Sequence, residues 1–171
     1  LATKDPIGGC FGGVFMEYNL RTILDDKAGL REFNPLNPYD PCPRLKDKFR
    51  PACYYWQTQW WENSANKDEK VKYNQIGLLC SEIDKAEERK QCFIGLGNIA
   101  PQNADWNLQT TKDLCGQIGN EQGKIFCLTG AAGAFHAEPK TRENSSQVCK
   151  VILSEKYRNE CLQFKGSNTS K

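Results

Sequence analysis

Nine cysteines and a single histidine, His136, are the residues of this 171-residue chain whose chemistry could define it. Thiols in that number serve metal ligation, redox exchange or structural disulfides. Zinc sites draw their ligands in pairs two to four residues apart, and the chain contains no Cys-x-x-Cys. With one imidazole, mixed thiol–imidazole ligand sets and a catalytic Cys–His pair are both disfavoured. GGCFGG at 8–13 lacks the following lysine and preceding strand that a phosphate cradle needs, and no nucleophile-elbow, Walker or dinucleotide fingerprint occurs. The chain is therefore expected to carry no metal, no cofactor and no catalytic residue.

Structural disulfides explain the cysteines better, because their spacing recurs. Cys80 and Cys92, Cys115 and Cys127, and Cys149 and Cys161 enclose eleven residues each, and Cys42 and Cys53 enclose ten. In a helical hairpin a residue one turn before the connection faces one about a turn after it. The spacing thus predicts the bridges Cys42–Cys53, Cys80–Cys92, Cys115–Cys127 and Cys149–Cys161, each tying one hairpin. Cys10 aligns with the second cysteine of a unit and is left unpaired. It reads as a buried free thiol packing like a small apolar residue, or as the partner of an upstream segment or another chain.

Two other groups could do chemistry. YYWQTQWW at 54–61 places Trp56 and Trp60 on one helix face and Tyr54 and Trp61 on another, so one core stripe cannot hold every ring. Trp56 is expected in the core, where it fills the gap left by a missing helix before Cys42. Trp60 and Trp61 are expected to form a ligand-binding surface, and Gln57 to hydrogen-bond either the Pro-rich loop or a ligand. Glu17, in a mostly apolar helix, is expected to be partly buried and either paired with Arg21 four residues on or available to a ligand. His136 reads as a solvated residue at a helix C-terminus.

The elements that must position these residues are helices. Cys10–Leu24 reads as a helix buried against more than one neighbour, with Gly12 and Gly13 allowing close backbone contact. Residues 25–41 contain Pro35, Pro38 and Pro41 and cannot continue it; an irregular loop anchored by Leu30, Phe33 and Tyr39 is expected. Each later unit is then a helix ending near its first cysteine, a turn, and a helix starting before its second. The first helices are expected over Lys67–Ile83, from Asp105 and from Thr141. The second start at the N-caps Asp84 (with Glu87 completing a capping box), Asn120 and Ser154, and Pro101 and Pro139 lie between units.

Register supports that alignment. Leu45, Ile83, Ile118 and Ile152 stand three residues after each first cysteine, and Arg50, Arg89, Lys124 and Arg158 three before each second one. Gly13, Trp56, Gly95, Gly130 and Phe164 stand three after the second, counting Cys10 among these. From Cys53 onward the second cysteines are 39, 35 and 34 residues apart, a period typical of helical-hairpin arrays. Read as one domain, the chain divides into a partial repeat at 1–24, a Pro-rich loop and repeat at 25–66, repeats at 67–100 and 101–138, and a final repeat with a polar tail at 139–171.

Composition narrows the partners. The formal charge is +2 and no Lys/Arg run exceeds two residues, which argues against nucleic acid. No apolar stretch approaches a membrane span. The cysteine count and the sequons at Asn144 and Asn168 suit an oxidising compartment, whether secreted, periplasmic or at the cell surface. The chain starts at Leu1 without a methionine and reads as a mature or trimmed product.

A first cysteine on one helix and a second on the next, followed by small residues as in CFIGLGNIA and CLTGAAGAF, resembles the cysteine-rich Sel1-like proteins of the tetratricopeptide-like superfamily. The resemblance covers about residues 42–165. It implies an all-α, disulfide-stapled array of helical-hairpin repeats forming a short α/α solenoid, and a secreted module that binds a protein or glycan. The alternatives are a structural subunit of a larger, self-assembling extracellular structure, and an enzyme with carboxylates on the concave face.

Overall fold

The computed structural model describes residues 10–24, 36–64 and 68–164, with only the backbone for 20–24 and 64. Leu30, Phe33, Asn168 and the side chain of Arg21 lie outside the described residues. All regular structure among the described residues is helical: α1 (Cys10–Leu24), α2 (Arg50–Ser64), α3 (Glu69–Ser81), α4 (Ala86–Asn103), α5 (Leu108–Gly116), α6 (Glu121–Ala137), α7 (Asn144–Cys149) and α8 (Glu155–Gln163). Two 3-10 turns, Cys42–Arg44 and Asp47–Phe49, precede α2.

Local chemistry sets most of the boundaries. Asp68 accepts from the backbone N–H groups of Lys70 and Val71 and opens α3. Asn107 accepts from Thr110 N–H to open α5, and Asn120 from Gly123 N–H to open α6. The expected capping box at Asp84 does not form. α4 starts one residue later than that cap requires, Lys85 precedes it without a side-chain cap, and Glu87 instead accepts from Gln91. Ser154 does precede α8, but with no side-chain cap bond. α5 starts at Leu108 rather than near Asp105 because Asp105 and Trp106 adopt φ of 48° and 61°, a left-handed turn no helix can include. Pro101 lies inside α4 rather than after it, and α7 starts at Asn144, three residues beyond Thr141.

Four disulfides form, Cys42–Cys53, Cys80–Cys92, Cys115–Cys127 and Cys149–Cys161, with Cα atoms 5.6–5.8 Å apart. Each closes a short loop, for which loop-closure entropy gives about 3 kcal/mol per bridge. Cys10 is free, but it is exposed rather than buried. Its helix is also less covered than its apolar residues suggest: Phe11, Val14 and Tyr18 all stand exposed, and Gly13 has nothing within contact of where a Cβ would stand. Among the described residues α1 packs chiefly on α2, with Phe11 also edge-on to Phe49 at 4.4 Å.

The core is organised by α2, α4 and α6, whose mutual contacts are the most extensive in the molecule. Their approach is close because of glycines. A Cβ on Gly95 of α4 would stand 2.1 Å from the Tyr55 carbonyl oxygen of α2, and one on Gly130 of α6 would stand 2.0 Å from that of Ile94 in α4. Both glycines lie three residues after a bridged cysteine, and both partner carbonyls lie two residues after the preceding one. A Cβ on Gly97 would likewise clash with the Cys127 carbonyl.

A second recurrent contact crosses the turns. The guanidinium of Arg50 donates to the Leu45 carbonyl (2.8 Å), that of Arg89 to Ile83 (2.6 Å) and that of Arg158 to Ile152 (3.2 Å). The arginine three residues before the second cysteine thus clasps the carbonyl three residues after the first. At the equivalent place in the 115–127 pair, Lys124 turns instead to Glu121.

Two measurements follow from these contacts. Gly95→Ala and Gly130→Ala are each expected to lower unfolding free energy by about 1–3 kcal/mol or more by forcing helices apart. Gly116→Ala, where no atom is near, is expected to be neutral or to gain about 0.5–1 kcal/mol in non-reducing urea titrations. Lys124→Arg, which restores the clasp on Ile118, is expected to stabilise by about 1 kcal/mol in the same titrations. An unchanged midpoint would show that the clasp contributes no net stability.

Candidate functional site

The aromatic cluster does not form the expected binding surface. Trp60 is 3 % exposed and Trp61 1 %, and the Trp61 indole N–H donates to the Pro38 carbonyl at 2.9 Å. Tyr39 packs edge-on to Trp61 and Tyr54, so the segment 36–41 covers the rings that a bare helix would have exposed. Gln57 is buried with them and donates to the carbonyls of Pro38 (3.0 Å) and Asp40 (3.3 Å). Of its two expected partners the structure places the Pro-rich segment. Trp56, expected inside, is half-buried, with its indole nitrogen buried and without a hydrogen-bond partner. Glu17, expected to be partly buried, is exposed. Asn144 begins α7 and is half-buried, and His136 is half-buried in the last turn of α6.

Two depressions are lined wholly by described residues. The first lies over the turn between α3 and α4 and has a volume of about 250 Å³. It gathers three carboxylates, Glu82, Asp84 and Glu88, and two cations, Arg50 and Lys85. Glu82 accepts from the Tyr39 hydroxyl at 2.6 Å. Glu88 is buried, with Lys85 at 3.8 Å and Arg50 at 4.0 Å. Burial raises the Glu88 pKa above the ordinary value, and Arg50 and Lys85 oppose the shift without cancelling it. Burial likewise pushes Tyr54 up to about 12, with Glu88 adding to the effect. Lys85 also pairs with Asp47 at 2.9 Å, which holds the Asp47 carboxyl below its usual range. Arg50 and Lys85 are thus shared between Glu88 and Asp47, and Glu17 does not line this depression.

The second depression is a cleft of about 370 Å³ between α4, α6 and α8. Its apolar lining is Ile94 and Phe126, both buried, with Tyr157 and Phe164 half-buried at the α8 side. Phe126 and Tyr157 meet edge to face at 6.0 Å, and Lys90 stands 5.4 Å from the Phe126 ring centre. Lys90 faces Glu160 across the cleft at 4.0 Å. Thr129 donates to the Ile125 carbonyl at 2.9 Å, which leaves its oxygen able to accept. The Tyr157 hydroxyl accepts from Gln122 at 3.3 Å, which leaves its own proton to donate.

Gln91 is the polar residue that sets this cleft apart. It is 8 % exposed, and its Nε2 donates to Glu87 at 2.8 Å. That carboxylate fixes the amide orientation, since the flipped form would bring two acceptors together. Its Oε1 is buried and has no hydrogen-bond partner. A buried acceptor left unpaired costs about 1–3 kcal/mol, and this one belongs to a residue that lines a cleft of small-ligand size.

The glycine contact of the core is not repeated at its last member. Where Gly95 and Gly130 admit a backbone, Phe164 stands three residues after Cys161, at the end of α8. α8, at 9 residues half the length of the 18-residue α4, packs far less extensively on α6 than α4 does. That departure in register was visible in the sequence. Gln91 was not, since the position before each second cysteine holds Ala52, Gln91, Phe126 and Glu160 and follows no pattern.

Among the described residues no group of three or more His, Cys, Asp or Glu is placed to hold a metal ion, and no helix is long and apolar enough to cross a membrane. Comparison with protein-family models, with curated proteins and with solved structures finds no match to the chain.

The raised pKa of Glu88 has a testable consequence. The cost of burying its charge is absent below the ordinary glutamate pKa of 4.5 and fully present above the folded value. The stability of the unmodified chain is therefore expected to fall relative to Glu88→Gln as pH rises through that window. Urea titrations of both proteins between about pH 4 and about pH 7 would show it. A difference independent of pH would mean that the ion pairs with Arg50 and Lys85 cancel the burial.

Proposed function

We propose that this chain is a disulfide-stapled α/α solenoid, akin to the Sel1-like arrays, that acts as a binding module in an oxidising extracytoplasmic compartment. The reading takes the cleft between α4, α6 and α8 as its ligand seat. Four bridges in one recurrent register favour the array, and four disulfides favour the compartment. The observation that carries the binding role is the cleft of ligand size lined by Gln91, whose buried Oε1 lacks a donor. An unpaired polar group costs stability, and binding sites are where proteins commonly retain such costs.

The carboxylates of the other depression lend less to an enzymatic reading. Glu82 is taken by Tyr39, and Glu88 faces two cations.

Replacing Gln91 by leucine separates the two properties. Gln91→Leu is expected to raise unfolding free energy by about 1 kcal/mol, since it removes an unpaired buried acceptor. The same variant is expected to lose the response of the native chain to small ligands. The measurement is amide NMR of the oxidised chain against a mixed set of amino acids, dipeptides, sugars and small amphiphiles. Saturable shifts centred on Gln91, Thr129 and Tyr157 are expected for at least one class. Their absence for every class, or shifts confined to another surface, would end the proposal.

A further inference from the structure

We propose that the ligand of the α4–α6–α8 cleft is an uncharged pyranose sugar, free or as the terminal unit of a glycan, with a ring hydroxyl donating to Gln91 Oε1. The inference rests on the binding role proposed above and names the class of molecule that the cleft accepts.

Charge is the first constraint. The two ionic groups of the cleft, Lys90 and Glu160, face each other at 4.0 Å and leave it formally neutral. A carboxylate ligand would gain Lys90 only by meeting Glu160, and an ammonium ligand would meet the reverse. An uncharged molecule has neither conflict.

Hydrogen bonding is the second. A purely apolar ligand would leave the buried Gln91 Oε1 without a donor, whereas one that donates there relieves a standing penalty. The ligand must donate there. It must also suit Thr129, whose oxygen accepts, and Tyr157, whose hydroxyl proton is available to donate. A hydroxyl both donates and accepts, so several hydroxyls on one ring can serve all three groups.

Shape and polarity are the third. Phe126, Tyr157, Phe164 and Ile94 supply an apolar side to the same space. A pyranose has the matching division, with C–H groups clustered on its faces and hydroxyls at its edge. The volume of about 370 Å³ lies at the low end of small-ligand clefts and suits one or two such rings.

The test is a titration of the oxidised chain, followed by amide NMR and calorimetry, with three sets of probes. The first set is neutral sugars: glucose, galactose, mannose, N-acetylglucosamine and their β-linked disaccharides. The second is charged counterparts, glucuronate and glucosamine. The third is non-sugar donors with an apolar body, cyclohexanol, phenol and N-acetyltryptophanamide.

Saturable binding of at least one neutral sugar is expected, at least tenfold tighter than its charged counterpart. Gln91→Leu is expected to weaken it at least tenfold, and Phe164→Ala to weaken it while leaving the fold intact by amide dispersion. If non-sugar donors saturate the cleft and every sugar is silent, the sugar assignment fails and the binding role stands. If all three sets are silent at the cleft, both fail. Sugar binding that survives Gln91→Leu unchanged would overturn the role given to its amide.

Discussion

The contact on which the rest of the structure depends is backbone against backbone, at Gly95 over Tyr55 and at Gly130 over Ile94. Side chains of any other kind at those two positions would hold α2, α4 and α6 apart. At that larger spacing the rings and aliphatic side chains of the core, Tyr55, Phe93, Ile94, Leu96 and Phe135 among them, would meet gaps instead of neighbours. The glycines carry a propensity cost in helix interiors of about 1 kcal/mol each. The disulfides offset it, since each restrains the unfolded chain where the helices are weakest. Glycine and cysteine in this chain are thus one device, set at a fixed distance from each other along the sequence.

That device explains why the fold was legible and the site was not. The bridged pairs, the cap Asn120 and the extent of α1 follow from residue types acting locally, over a turn or two. The recurring arginine was visible as a pattern, although its purpose, clasping a carbonyl across the turn, needed coordinates. Where the reading missed, a non-local contact decided the outcome. YYWQTQWW looks too aromatic for one core stripe, and on a bare helix it would be. The segment 36–41 lies across it and takes the Trp61 N–H and the Gln57 amide into its own carbonyls. Nothing in the spacing of prolines announces which surface they will cover.

Pro101 shows the same limit from the other side. A proline should close a helix, and here it sits inside α4 near its end, where few turns remain to be broken. The halt comes later, at Asp105 and Trp106, with Trp106 held edge-on against Phe135 of α6. The cost of placing two non-glycine residues in the left-handed region is met by a tertiary contact that a local rule does not see.

The cleft follows from the same packing rule by exception. Three helices can stack through glycines because each presents a carbonyl where the next presents a hydrogen. The series stops at α8, where Phe164 stands in the glycine register and the helix ends. Beside it remains a space bounded by α4, α6 and α8 and lined by the Phe164 ring among others. Ile94, Phe126 and Gln91 face that space because they belong to the stacking surface of the core. A polar group on such a surface would ordinarily be paired by the helix that stacks on it. Gln91 is buried with its amide N–H taken by Glu87, and none of the described residues donates to its Oε1. The site thus lies where the stacked series ends, and it sets the rings of Phe126, Tyr157 and Phe164 beside an amide whose buried oxygen is unpaired.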